Sequence, residues 1–178
     1  VRRVEVRLIH AGEFEAAGRL VVAAYEALEG SHMTGEYATE LADVARRAQE
    51  ADVFVAAEGS ELQGCVTFVP DASNPWAEGL VDGEASIRML AVDPEAQGKG
   101  AGRALLDACV HQAHALGRSA VFLHSTPWMT AAHHLYDRAG FIRVRDRDWL
   151  PIPEVPLLAF RLDLAETRPP PERGSPLR

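Results

Sequence analysis

The stretch Ile87–Leu116, IRMLAVDPEAQGKGAGRALLDACVHQAHAL, constrains the fold more than any other part of the chain. Ile87–Val92 is apolar apart from Arg88 and ends at Asp93-Pro94. This predicts a short buried strand with a firm stop, because proline cannot continue a hydrogen-bonded ladder. Further on, Ala101, Ala104, Leu105, Ala108, Cys109, Ala113 and Leu116 fall at helical spacing, and Gly117 follows as a C-terminal stop. Strand and helix are joined by Gln97-Gly98-Lys99-Gly100-Ala101-Gly102.

A glycine-rich turn from strand to helix is suited to holding an anion. The first N–H groups of a helix have no internal partner, and the helix dipole puts partial positive charge there. Glycines add close backbone approach and positive φ without steric cost. The same residues also serve a plain tight loop, so the turn needs a second signal. Two other phosphate motifs fail. A Walker A loop needs Ser or Thr after its Gly-Lys, and Lys99 is followed by Gly100 and Ala101. The dinucleotide fingerprint starting at Gly98 needs glycine where Arg103 stands.

The second signal lies downstream, in Ala132-His133-His134-Leu135-Tyr136-Asp137-Arg138-Ala139-Gly140-Phe141. With Gln97, Gly100 and Gly102, and with Leu90-Ala91-Val92-Asp93-Pro94 before them, this segment resembles the GNAT superfamily of N-acetyltransferases. The turn is similar to that family's acetyl-coenzyme A loop, and the later segment to its A-x-x-L-Y-x-x-x-G-F motif. Two motifs in the family's order are more specific than either alone. The likeness extends more loosely over residues 1–164.

The resemblance implies an α/β (α+β) fold with a mixed, mostly antiparallel sheet of about seven strands, counted from the alternating runs. It implies acetyl-CoA held by Leu90, Ala91 and Val92 along the strand and by Gln97, Gly98, Lys99, Gly100, Ala101, Gly102 and Arg103 in the turn. A bulge near Leu90-Ala91-Val92 would splay this strand from its parallel neighbour. Backbone N–H groups there would polarise the thioester carbonyl. Lys99 reads equally as a phosphate contact or as a solvated loop residue.

Tyr136 takes the position of the family's proton donor. A phenol and a thiolate leaving group have comparable pKa values, roughly 10 and 8.5, so transfer between them is nearly balanced. Glu84 stands where some members carry a base for the amine. The acceptor pocket is implied to draw on His32, Trp76 and Trp149, with Glu78, Asp82, Asp146 and Asp148 near them. Aromatic walls with carboxylates suit a cationic amine. One departure is Met129, where the family often has an asparagine that contacts the cofactor.

The expected activity is acetyl transfer to the primary amine of a small molecule. A protein N-terminus or lysine is the alternative acceptor, and a silent acyl-CoA sensor the alternative class. Retention of Tyr136 favours an enzyme. The family resemblance also admits a homodimer.

Composition narrows the remaining classes. A chain of 178 residues suits one domain with a sizeable core. A net charge of −8 argues against a nucleic-acid partner. No run approaches the roughly 18 apolar residues of a membrane span. Val1–Glu5 runs straight into an alternating strand without a signal-like apolar region, and Cys65 and Cys109 read as buried free thiols. Together these predict a cytoplasmic protein. His111 with His114, and His133 with His134, form no complete tetrahedral ligand set, so no metal is expected.

Periodicity supplies the order of elements. A strand at residues 3–9 precedes helices over 13–28 and 36–49. Strands at 53–57 and 62–69 form a hairpin around Gly59-Ser60, and a loop over 70–83 leads to the strand Glu84–Val92. After the helix Ala101–Leu116 come a parallel strand at 120–124, a helix at 129–139 and strands at 141–147 and 157–164. Residues 149–156 hold three prolines and are expected to be irregular. The domain is placed at residues 1–166, and the Pro-rich 167–178 reads as a flexible tail.

Overall fold

A computed structural model of the chain describes residues 3–30 and 33–165. The expected tail at 167–178 and His32 lie outside the described residues. Among the described residues, eight strands form one sheet in the order β1-β2-β3-β4-β5-β8-β6, with β7 paired to β8. They are β1 (Glu5–Leu8), β2 (Asp52–Glu58), β3 (Glu61–Val69), β4 (Glu84–Val92), β5 (Ala120–Ser125), β6 (Ile142–Arg143), β7 (Trp149–Ile152) and β8 (Val155–Asp163). All pairings are antiparallel except β4 with β5. That exception follows from the crossover helix between them, which returns the chain to the same end of the sheet.

The α-helices among the described residues cover the two faces: α1 (Phe14–Glu26), α2 (Gly35–Ala42), α3 (Val44–Glu50), α4 (Ala101–Ala115) and α5 (Thr130–Arg138). Strand alternation sorts the core. Val53, Val55, Cys65 and Val69 turn toward α1–α3 and pack with Ala17, Val21, Leu41 and Val44. Ala56, Val66 and Phe68 turn the other way, toward Leu105, Leu106 and Cys109 of α4 and Tyr136 of α5. Among the described residues, no helix is long and apolar enough to cross a membrane.

β4 breaks the alternation, and this positions the site. Ala85 and Ile87 belong to the α4 side, whereas Met89 and Ala91 belong to the α1 side. The pairing shows why. Cys65 and Thr67 of β3 face Ala91 and Arg88, so β4 carries one extra residue there. Met89 has φ +52, a left-handed conformation that costs a side-chain-bearing residue energy. This is a β-bulge, which bends and twists its strand. Pairing of β4 with β5 accordingly covers only Glu84–Ser86 against Ala120–Phe122, and the strands diverge beyond it.

Three sequence expectations are corrected. The helix at 36–49 is two helices, broken at Asp43 (φ −80°, ψ 64°), whose carboxylate caps the second by accepting from Arg46 N at 3.1 Å. The fully buried Arg47 donates to the carbonyls of Glu40 and Leu41 at 2.6 and 2.8 Å, closing the end of α2. The strand at 141–147 shrinks to Ile142–Arg143 before a 3-10 turn at Arg145–Arg147. The segment 149–156, expected to be irregular, holds the strand β7, hairpinned onto β8. Pro151 is tolerated because β7 is an edge strand with β8 as its one partner.

Candidate active site

The turn after β4 is built by a proline and two left-handed glycines. Asp93 accepts from Glu95 N at 2.8 Å and starts a 3-10 turn over Pro94–Ala96. Gly98 (φ +77) and Gly100 (φ +93) then reverse the chain, and Gly100 caps α4. A Cβ on either would meet nothing within 4 Å, so these glycines serve backbone conformation and leave the outer face of the turn open. Gly102 is different: a Cβ there would come 3.3 Å from Val92 and 3.4 Å from Leu135. Its absence lets the end of β4, the start of α4 and α5 pack closely.

The N–H groups of Ala101, Gly102 and Arg103 precede the first intrahelical bond, which runs from Ala104 N to Gly100 O at 3.0 Å. No acidic residue occupies this first turn. Arg103 is paired with Asp107 at 2.8 Å along the helix surface. The cradle therefore consists of backbone donors, open glycines and the exposed Lys99. A pyrophosphate fits that donor set. Beyond Ser86, the β4 edge facing β5 is left without ladder partners, which suits an extended chain carrying amides.

Tyr136 lies on the same face as the turn. It is 4% exposed, with ring centroids 5.7 Å from both Phe141 and Phe160. Burial pushes its phenol well above the usual value. Among the described residues its hydroxyl has no hydrogen-bond partner, so its proton is free for an incoming atom. His133, one helical turn earlier, also packs on Phe160, at 5.0 Å, and its Nε2 lies 3.1 Å from Ser125 Oγ. Burial lowers the His133 pKa, which favours the neutral ring.

On the opposite face of the splayed strands is a cavity of about 390 Å³. Its walls come from α1 and α2 (Tyr25, Tyr37), the β5–α5 link (Trp128) and the β7–β8 hairpin (Trp149), and β4 contributes Ser86–Met89. Tyr25 and Tyr37 meet edge to face at 6.2 Å. The charged lining is one ion pair, Arg88 with Glu78 at 2.9 Å. His124 is the imidazole of this cavity, and its Nε2 lies 3.0 Å from the Arg147 carbonyl. A carbonyl only accepts, so Nε2 carries the proton and Nδ1 of the neutral ring holds a free lone pair.

The expected site residues divide. Leu90–Val92 and Gln97–Arg103 lie along the splay and its turn, and Trp149 lines the cavity. Trp76 does not line it. It is 5% exposed, donates from Nε1 to Glu50 at 2.6 Å, and has the Arg46 and Arg88 guanidiniums over its ring at 5.2 and 5.7 Å. Glu84 is also outside it, at the end where β4 and β5 remain paired. Arg147, Arg161 and Val81 N already occupy its oxygens, which leaves it poorly placed to take a proton from an amine. Burial raises its pKa, but these donors outweigh burial and hold it below the usual carboxylate value. Asp148 is likewise engaged, by Arg143 at 2.7 and 2.9 Å. The lining of this cavity is largely aromatic and apolar, and of the expected carboxylates only Glu78 is among its described residues. Tyr25, Tyr37, Arg88, His124 and Trp128 were not singled out from sequence. For His124 a signal existed: strand alternation aligns it with Phe122 at the diverging end of β5.

Comparison with known proteins agrees with this geometry. The model of the acetyltransferase (GNAT) family matches residues 18–141. Mycothiol acetyltransferase of Gordonia bronchialis is 40% identical over 80 residues, covering 41% of this chain and 26% of that protein. The [ribosomal protein bS18]-alanine N-acetyltransferase of Haemophilus ducreyi is 38% identical over 72 residues, 40% of this chain and 50% of the relative. The chain thus spans from about a quarter to half the length of these relatives. Among solved structures, yncA of Salmonella typhimurium, determined with its cofactor acetyl-CoA, superposes with a TM-score of 0.67 at 21% identity over 94% of this chain and 97% of the other. A GNAT-family acetyltransferase of Staphylococcus aureus Mu50 gives 0.72 at 12% identity over 92% and 100%. With the family model matching residues 18–141, more than half of the chain, the chain belongs to the acetyltransferase (GNAT) family.

Proposed function

We propose that the chain is an acetyl-CoA-dependent N-acetyltransferase, acting by direct attack of a small primary amine on the thioester. The observation that carries this reading is the splay of β4 from β5, with an anion cradle on one face and an aromatic cavity on the other. Bound acetyl-CoA supplies the activated acetyl group. Backbone donors from Gln97 to Arg103 hold its pyrophosphate, and the free β4 edge through Leu90–Val92 aligns its amide-bearing arm. Tyr136 keeps its proton until a thiolate needs it, and acts as general acid.

The cavity takes the acceptor. Its walls suit an amine with an aromatic or branched apolar body, and Trp149 forms part of the outer wall. Nδ1 of His124 takes the amine proton, directly or through water, in place of Glu84. The volume of about 390 Å³ fits a small molecule better than a folded protein surface.

The test is release of free CoA thiol across a panel of aromatic, aliphatic and polyamine acceptors, with peptide N-termini and lysine peptides included. Turnover fastest with apolar or aromatic amines supports the reading. Turnover confined to peptides would reassign the acceptor. Saturable acetyl-CoA binding without thiol release for any acceptor would make the chain a sensor.

A further inference from the structure

Glu84 is 1% exposed, and two guanidiniums from distant parts of the chain converge on it. Arg147 approaches in a fork, at 2.7 Å to one oxygen and 2.8 Å to the other. Arg161 Nε donates at 3.0 Å, and Val81 N at 3.2 Å. A carboxylate removed from water is costly unless it is paired and hydrogen-bonded, and this one is. Arg147 also donates to the Gly79 carbonyl at 2.5 Å and lies over the Phe122 ring at 3.7 Å. One side chain thus ties together the β3–β4 loop, the start of β4, β5 and the 3-10 turn after β6.

The two arginines differ in what else they touch. Arg161 stands on β8 and reaches Asp163 as well. Arg147 lies in the turn that leads into β7, and its own carbonyl receives the Nε2 proton of His124 at 3.0 Å. Trp149, two residues later, stands in the cavity wall, with its ring 6.3 Å from His124. The residue docked on Glu84 therefore fixes both the tautomer of the cavity imidazole and the start of the strand that closes the cavity.

We propose that Glu84 is a positioning residue for the acceptor: through Arg147 it holds His124 with its Nδ1 lone pair free and sets the place of Trp149. It does so without touching the acceptor. The proposal rests on the reading that the cavity takes the amine. An ion cluster serving stability alone would lower Tm in each variant of its residues and leave the tautomer of His124 as it is. A positioning role moves the tautomer through Arg147, because only Arg147 continues into the cavity.

Three variants separate these roles: Glu84→Gln, Arg147→Met and Arg161→Met. Methionine at 147 keeps an unbranched apolar chain of similar length and removes the guanidinium, with its bonds to Glu84 and Gly79 and its contact over Phe122. The readouts are the acceptor KM and kcat, the acetyl-CoA KM, and the ring nitrogen shifts of His124 by NMR above its titration range. Glu84→Gln and Arg147→Met should raise the acceptor KM by about 10- to 100-fold, the scale of a misplaced positioning group. Both should leave the acetyl-CoA KM within about twofold, since the anion cradle lies at the far end of β4. Both should turn the single Nε2–H tautomer of His124 into a mixture. Arg161→Met should lower Tm and move neither the acceptor KM nor the tautomer. Equal effects of Arg147→Met and Arg161→Met on the tautomer, or no effect of Arg147→Met, overturn the proposal. The tautomer is read without turnover, so an absence of acetyl transfer would defeat the functional reading while this test still gives an answer. If Glu84→Gln fails to fold, Arg147→Met decides alone.

Discussion

Tyr136 and Glu84 began as a candidate acid–base pair, and their surroundings separate them. Tyr136 is held by apolar neighbours and has its hydroxyl proton unclaimed among the described residues. Glu84 is held by cations. The Leu-Tyr-x-x-x-Gly-Phe spacing made the first position legible in the sequence. The fate of Glu84 was not legible, because its partners lie 63 and 77 residues away. Only the folded sheet brings those arginines to it. For Tyr136→Phe, removal of the hydroxyl should lower kcat by about 100- to 10,000-fold, with acetyl-CoA affinity by calorimetry unchanged. The loss should shrink with acyl donors whose leaving groups are less basic. Wild-type turnover in this variant would make Tyr136 a packing residue.

At the scale of the element, the glycine turn was readable but the reasons for its glycines were not all the same. Gly100→Ala forces a side chain into a left-handed N-cap, and should weaken acetyl-CoA binding and lower Tm by about 2–4 °C. Gly102→Val instead intrudes on Val92 and Leu135, and should lower Tm by several degrees before any effect on the ligand can be read. Calorimetry with thermal melts on both variants distinguishes the two. The split of the second helix was hidden for a similar reason. Leu41, Val44 and Ala48 keep helical spacing across it, and the break depends on Arg47 capping α2 from the following helix. The prolines near 151 misled in the other direction, since they exclude an inner strand but not an edge one.

The β6–β7 link also carries a pH signature. Asp148 accepts from Arg143 and from Ala159 N, and the Arg143 pairing holds its carboxyl down to about 2. A depressed carboxyl contributes stability above its unfolded pKa and loses it as pH falls toward the folded value. Urea midpoints should therefore fall between roughly pH 5 and 2, the window between the ordinary and shifted values. Arg143→Met should flatten part of that fall. An identical pH profile in the variant would show that the pair is screened away by solvent, as exposed pairs often are.

Across the whole molecule, each face of the sheet has its own core and its own thiol. Cys65 lies on the α1 side and Cys109 on the α4 side, both fully enclosed. Burial pushes Cys65 up to about 12, and raises Cys109 as well. Neither thiol should react with a disulfide reagent in the native protein at neutral pH. If both cores open together, the two should label at one rate equal to global unfolding. Faster labelling of Cys65 would mean that the α1–α3 layer opens by itself. The sheet and its crossover were legible because they rest on local periodicity. The cavity was not, because its walls come from α1–α2, β4, β5 and the final hairpin, segments that meet only after folding.

The bulge at Met89 has a further consequence, which is arithmetical. In a regular strand odd and even residues face opposite sides, so a strand is assigned to its faces by counting. β4 contributes odd positions to one core before the bulge and to the other core after it. No substitution can undo this, because replacing a side chain leaves the count unchanged. Deleting one residue at the bulge would remove the surplus: Ile87, Leu90 and Val92 would then alternate regularly on the face they already share, and the left-handed turn at Met89 and its added twist would go. The divergence of β4 from β5 therefore depends on one surplus residue and not on which side chain it carries. It is protected against gradual drift in sequence and vulnerable to one deletion.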